Sequence, residues 1–139
     1  MTETGILNRD IAAELSKLGH MDKLLITDAG LAVPSSVKVI DLSLDVNVPT
    51  ILDILKVILK NFSVEKIILS KGTEEVSPTR KKDILNCFPK DIPLETVTHP
   101  FFRDELTKEV KFAIRSGDFT SFSNIILVSG GGSRWYSEK

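Results

Sequence analysis

A chain of 139 residues suits one domain, with a core large enough to need no disulfide or metal staple. Hydrophobic residues make up 42% and charged residues 27%, the balance of a soluble globular protein rather than a disordered one. A formal net charge of −1 leaves no electrostatic case for a nucleic-acid partner, and a single cysteine rules out an internal disulfide or a cysteine-built metal cluster.

That cysteine, Cys87, lies close to Leu85 and Phe88 and reads as a reduced thiol of a cytosolic protein. The opening Met1-Thr2-Glu3-Thr4-Gly5 lacks the basic region and apolar run of a secretory signal. The most apolar stretch, residues 51–59, contains Asp53 and Lys56 and is too short and too charged to span a bilayer.

In chain order, Asn8 caps a helix running to about residue 18. Ile11, Leu15 and Leu18 recur at helical spacing, and Gly19 suits the left-handed position past its end. Residues 23–27 read as a buried strand, 28–36 as a loop containing Gly30 and Pro34, and 37–42 as a second strand. Thr50 and Asp53 form a capping pair for a helix over 51–61. A third strand follows at 65–69, then a polar loop at 71–77. Pro78 opens a basic helix ending near Cys87, with Arg80-Lys81-Lys82 as its solvated face.

Residues 93–98 are a fourth strand. Pro100 opens a helix to 114, with Phe102, Leu106, Val110 and Ala113 along one face, and Arg115-Ser116-Gly117-Asp118 reads as its exposed, charged stop. A last strand, almost wholly apolar, covers 124–128, and a mobile tail begins near 131. The alternation predicts an α/β protein: a single domain over 1–139, with a largely parallel central sheet and helices on both faces.

Several polar residues fall at element boundaries, where site residues are common. His20 follows the first helix, whose negative end favours a protonated ring and so suits a general acid near neutral pH. The competing reading is a surface histidine that only meets the dipole. Asp28 ends the first strand, where ligands gather in open α/β sheets, but it can equally well bond the turn amides after it. His99 follows the fourth strand, and Asn124 opens the last one, to bind a hydroxyl or to cap a turn. No metal set is visible, because two histidines and scattered carboxylates lack ligand spacing. Gly130-Gly131-Gly132 has no Lys-Ser/Thr after it and is no phosphate loop.

Four segments together are similar to the D-ribose pyranase family, which is related to the fucose mutarotases. They are Gly5-Ile6-Leu7-Asn8, Leu18-Gly19-His20-Met21-Asp22, Asp28-Ala29-Gly30-Leu31, and Ile114-Arg115-Ser116-Gly117-Asp118 through Asn124-Ile125-Ile126-Leu127. The resemblance implies a cytoplasmic enzyme, without cofactor or metal, that interconverts pyranose and furanose ribose. It places the catalytic histidine on His20 and substrate contacts on Asp28 and His99. A late ligand triplet falls on Phe122, Ser123 and Asn124. It also implies self-association into a ring-like homo-oligomer, commonly a decamer. Alternatives are a mutarotase for another monosaccharide such as fucose, or a non-catalytic sugar-binding module.

Phe122 stands where the family has a tyrosine, and Ala32-Val33-Pro34 replaces its Pro-x-Pro. The tail through Trp135 and Tyr136 runs longer than in the family. Gly30 resembles the ribose branch, since the fucose branch carries histidine there. A strand of five residues at about 3.3 Å each separates His20 from Asp28 by roughly 17 Å. One sugar does not bridge that gap unless the loops fold back or a neighbouring chain supplies one of the two residues, and the sites are expected to draw on more than one subunit.

Overall fold

The computed structural model describes residues 1–132 and 134–139; Ser133, within the expected tail, lies outside the described residues. Helix α1 (Arg9–Ser16) starts where Asn8 Oδ1 accepts from the amides of Asp10 and Ile11, both at 3.0 Å. It ends two residues before the expected stop, and Gly19 is not left-handed. Instead the Asp22 carboxylate accepts from the Gly19 amide at 2.8 Å, and Met21 takes the positive φ of 74° in that turn. His20 therefore sits in a turn rather than at a helix end.

The strands are β1 (Lys23–Thr27), β2 (Val39–Asp41), β3 (Val64–Ser70), β4 (Leu94–Val97), β5 (Phe112–Arg115) and β6 (Ile125–Ser129). They form one six-stranded sheet in the order β2-β5-β1-β6-β3-β4. β5 runs parallel to β1 and β2, and β3 runs parallel to β4. β6 is antiparallel to both its neighbours and joins the two parallel sets.

Strand side chains alternate between two cores. Leu24, Ile26, Ile67, Leu69, Phe112, Ile114, Ile125 and Leu127 point to one face. There they meet α1, α2 (Ile51–Asn61) and α4 (Pro78–Leu85) through residues such as Ile11, Leu55, Ile58 and Ile84. Leu25, Ile68, Ala113, Ile126 and Val128 point to the other face, against Phe102, Leu106 and Val110. Both faces are thus covered, which is why the central strands β1 and β6 read as nearly unbroken apolar runs.

Three further expectations need correction. Residues 100–114 are not one helix: α5 (His99–Asp104) and a 3-10 turn (Leu106–Glu109) give way to β5. Phe102, Leu106 and Val110 do line one face. Phe112-Ala113-Ile114 then alternate across the sheet between β1 and β2, burying both sides where a helix would bury one stripe. The expected polar loop at 71–77 holds a short helix, α3 (Lys71–Val76). Finally, Arg80 and Asp118 are not solvated charges. The Asp118 side chain is fully buried and paired with Arg80, while Lys81 pairs with Glu74 at 3.0 Å.

No helix among the described residues is long and apolar enough to cross a membrane.

Candidate active site

The carboxyl ends of β1, β3, β4 and β5 and the start of β6 share one edge of the sheet. At that edge the Asp28 amide donates to Asn124 Oδ1 at 2.8 Å. Asp28 Oδ1 accepts from the amides of Gly30 and Leu31 at 2.9 Å each. Asp28 thus makes the local turn, and its Oδ2 has no hydrogen-bond partner among the described residues. A cavity of about 320 Å³ opens beside Asp28, lined also by Gly30, Arg115, Asp118 and Thr120.

The loops around that cavity are held by polar contacts, some at the surface and some buried. Arg115 donates through Nε and Nη2 to the Ala29 carbonyl, at 3.1 and 2.9 Å, and through Nη1 to Asp41 and Ser43. Asp118 accepts from the Ile51 amide at 2.9 Å and the Thr120 amide at 2.8 Å. Burial alone would raise the Asp118 pKa, but these amides and the Arg80 guanidinium outweigh it and hold the carboxyl below its ordinary range.

His99 opens α5, behind the Thr98 cap. Its ring meets the Phe122 ring edge to face, with centroids 4.6 Å apart and planes at 83°. Its Nδ1 is buried and has no hydrogen-bond partner among the described residues. A buried ring nitrogen left open in this way marks a place for a ligand or water. Burial lowers the His99 pKa, with Arg103 adding to the effect and Asp28 and Asp104 opposing it, which favours the neutral ring.

Phe122 carries a φ of 58°, unusual for an aromatic residue. Thr73 holds it there by donating to its carbonyl at 2.6 Å. Gly72 gives the ring its space, since a Cβ on Gly72 would lie 2.6 Å from Phe122 Cδ1. Ser123 is fully buried and donates its hydroxyl to the Thr120 carbonyl at 2.8 Å. Asp28, His99, Phe122, Ser123 and Asn124 are therefore brought together at one edge.

His20 stands at the opposite edge. The Met21 amide donates to Ser129 O at 2.7 Å and the Ser129 amide donates to Asp22 O at 2.8 Å, which ties this turn to the far end of β6. His20 Nε2 lies 2.8 Å from Glu65 Oε2, at the start of β3. A cavity of about 450 Å³ adjoins it, lined by Leu18, His20, Asn61, Ser63 and Trp135 among others.

Sequence reading missed Gly72, Thr73, Arg80 and Glu65. For Gly72 the signal was there, a glycine just past a strand's carboxyl end. Glu65 looks like any outward strand carboxylate. Among the described residues, no three His, Cys, Asp or Glu side chains gather as a metal set.

Residues 1–131 match the model of the RbsD / FucU transport protein family. The chain is 40% identical over 130 residues to a D-ribose pyranase of Streptococcus agalactiae serotype Ia, covering 94% of this chain and 98% of that one. It is 42% identical over 130 residues to a D-ribose pyranase of Streptococcus uberis, with the same coverage. Its fold is similar to that of Bacillus subtilis RbsD complexed with D-ribose, with a TM-score of 0.89 and 39% identity over 95% of this chain and 99% of that one. A fucose mutarotase from Streptococcus pneumoniae in complex with L-fucose shares the fold alone, with a TM-score of 0.71 and 20% identity over 91% of this chain and 94% of that one. The chain belongs to the RbsD / FucU transport protein family.

Proposed function

We propose that this protein is a D-ribose pyranase, a sugar isomerase that interconverts the pyranose and furanose rings of ribose by proton transfer. The observation that carries this reading is its nearly full-length likeness to ribose-complexed RbsD. That likeness favours ribose over fucose, since the fucose mutarotase shares only the fold.

The reaction asks little of a protein. The anomeric hydroxyl loses its proton, the C1–O5 bond breaks with its electron pair going to O5, and O5 takes a proton. The open aldehyde recloses when the O4 hydroxyl adds to C1 and its proton passes to O1. Atoms and protons balance, and general acid–base catalysis contributes about 10²–10⁴-fold. O1 and O5 are borne by one carbon, so a single imidazole reaches both. His20 is exposed and takes that role in this proposal. Asp28 Oδ2, His99 Nδ1 and the Asn124 amide offer acceptors and a donor for hydroxyls. The ring edge of Phe122 walls the site, and Ser123 holds the turn that presents Asn124.

In one chain these groups lie at opposite ends of β1, a five-residue strand of roughly 17 Å. Each site therefore combines His20 of one copy with Asp28, His99 and Asn124 of another. A ring-like homo-oligomer such as a decamer repeats such a contact until it closes. We place the enzyme in the cytoplasm, where a free Cys87 thiol persists.

NMR saturation transfer between the ring forms of ribose tests the activity directly. The enzyme accelerates pyranose–furanose exchange; exchange of anomers alone means a mutarotase, and binding without exchange means a sugar-binding module. His20→Ala and Asp28→Ala are each expected to be inactive. When they are mixed and reassembled, part of the activity returns, because some sites receive both intact residues. Absence of any recovery argues for sites built within one chain.

A further inference from the structure

Away from the Asp28 edge, the helical face carries grooves. One, of about 600 Å³ near Lys56, Asp83 and Cys87, holds no orphaned buried polar side chain among the described residues, and burial pushes the Cys87 thiol pKa up and makes it less reactive. The His20 end of the sheet carries more.

There the pairing of β3 with β6 loses register: Val64 faces Ser129 and Lys66 faces Val128, so Glu65 is one residue extra on β3. Such a bulge re-aims the side chain it carries. Lys66, the next residue, turns to Glu95 on β4 at 2.7 Å. Glu65 turns instead to His20, at 2.8 Å from Nε2, and no Lys or Arg among the described residues pairs with it. Glu65 is also the better anchored of the two, with its side chain 28% exposed against 68% for His20.

Gly130 makes this position available. A Cβ there would overlap the Glu65 carboxylate, so the space beside β6 that a side chain would fill is the space the carboxylate uses.

We propose that Glu65 is the positioning residue for His20: its bulge-directed carboxylate, admitted by Gly130, fixes the ring and keeps the proton on Nε2. This rests on the reading of His20 as the proton-transfer group. A carboxylate only accepts, so Nε2 donates to it and Nδ1 is left as the basic nitrogen open to the sugar. When Nδ1 takes the anomeric proton, the imidazolium is formed beside a negative charge. When Nδ1 gives that proton to O5, the ring returns to its starting tautomer. Without the carboxylate, the neutral ring turns freely and carries its proton on Nδ1 for part of the time, where it cannot accept.

The test measures ribose ring exchange and imidazole ¹⁵N resonances in the assembled protein. The chain has two histidines, so His20→Ala assigns the His20 signals. Glu65→Ala is expected to lower kcat on the order of 10- to 100-fold, the range felt when outer partners of functional histidines are removed, with KM changed less than about twofold. Glu65→Gln, which keeps an acceptor, falls between. In Glu65→Ala the two neutral-state nitrogen resonances of His20 move toward each other as the second tautomer appears. Gly130→Ala displaces the end of a flexible side chain without touching the core. It is expected to reproduce the kcat loss and to add little in the Glu65→Ala background.

Wild-type kcat in Glu65→Ala overturns the proposal. So does a lower kcat with unmoved His20 nitrogen resonances, which would make Glu65 a structural residue only. If Glu65→Ala does not fold, Glu65→Gln and Gly130→Ala decide by the same two readouts. Wild-type exchange in His20→Ala would bring down the parent reading instead and leave the Glu65 geometry with no reaction to serve.

Discussion

Phe122 occupies a left-handed backbone position that costs on the order of 1–3 kcal/mol for a residue with a side chain. The Thr73 hydroxyl and the open face of Gly72 hold it there, and its ring lies on His99. A hydroxyl added at this ring gives the sugar one more partner. Phe122→Tyr is expected to raise kcat/KM for ribose exchange by about 2- to 13-fold, the worth of one net hydrogen bond of about 0.5–1.5 kcal/mol. No gain, together with a lower melting temperature, would mean that position 122 serves only to pack His99. Asp28, His99 and Asn124 were legible in the sequence because each sits where an apolar run begins or ends. The Glu65 contact with His20 was not, because it depends on a bulge set by a strand distant in sequence, and no local pattern announces a bulge.

Helix α2 shows an element that sequence reasoning reads well. The Thr50 amide donates to Asp53 Oδ2 at 2.9 Å and the Asp53 amide donates to Thr50 Oγ1 at 3.2 Å, the reciprocal box expected from Thr-x-x-Asp. Thr50→Ala should cost about 1 kcal/mol of stability, seen as a lower urea midpoint with ring exchange unchanged. A midpoint equal to wild type would mean that packing by Ile51, Leu55 and Ile58 holds the helix end without the box. β5 shows the opposite case. Phe102, Leu106 and Val110 keep a helical rhythm because a helix and a 3-10 turn do carry them onto one face. The rhythm carries on to Ala113, but pairing with β1 and β2 takes that residue into the sheet. Periodicity alone cannot register a neighbour brought in from ninety residues earlier, which is roughly the span from β1 to β5. The Arg115–Asp118 segment was misread for the same reason: with no strand expected, its charges had no interior to enter.

For the molecule as a whole, acid is the informative stress. His99 is held below its ordinary value of 6.5, so the unfolded chain binds a proton that the folded chain resists. Its contribution is complete above about 6.5 and is lost as pH falls from there toward the lowered folded value. Asp118 is held below 3.8, so its contribution is complete above that value and is lost only as pH falls through it toward the folded one. Two losses are therefore expected in urea midpoints measured from pH 7.5 to 3. His99→Gln should remove the first and leave the second. Equal losses near pH 6 in wild type and His99→Gln would show that His99 is not the group responsible.

Trp135 is the only tryptophan in the chain, and it borders the cavity beside His20. The protein thus carries its own optical probe at the half of the site that, in the proposed assembly, a neighbouring copy completes. Trp135 is 73% exposed in the single chain, so covering it should shift emission to the blue. Dilution should reverse that shift at the concentration where the oligomer separates, and ribose should perturb the emission of the assembled form. In His20→Ala the dilution transition should persist while the sugar response weakens, so an unlabelled sample in a fluorimeter separates assembly from occupancy.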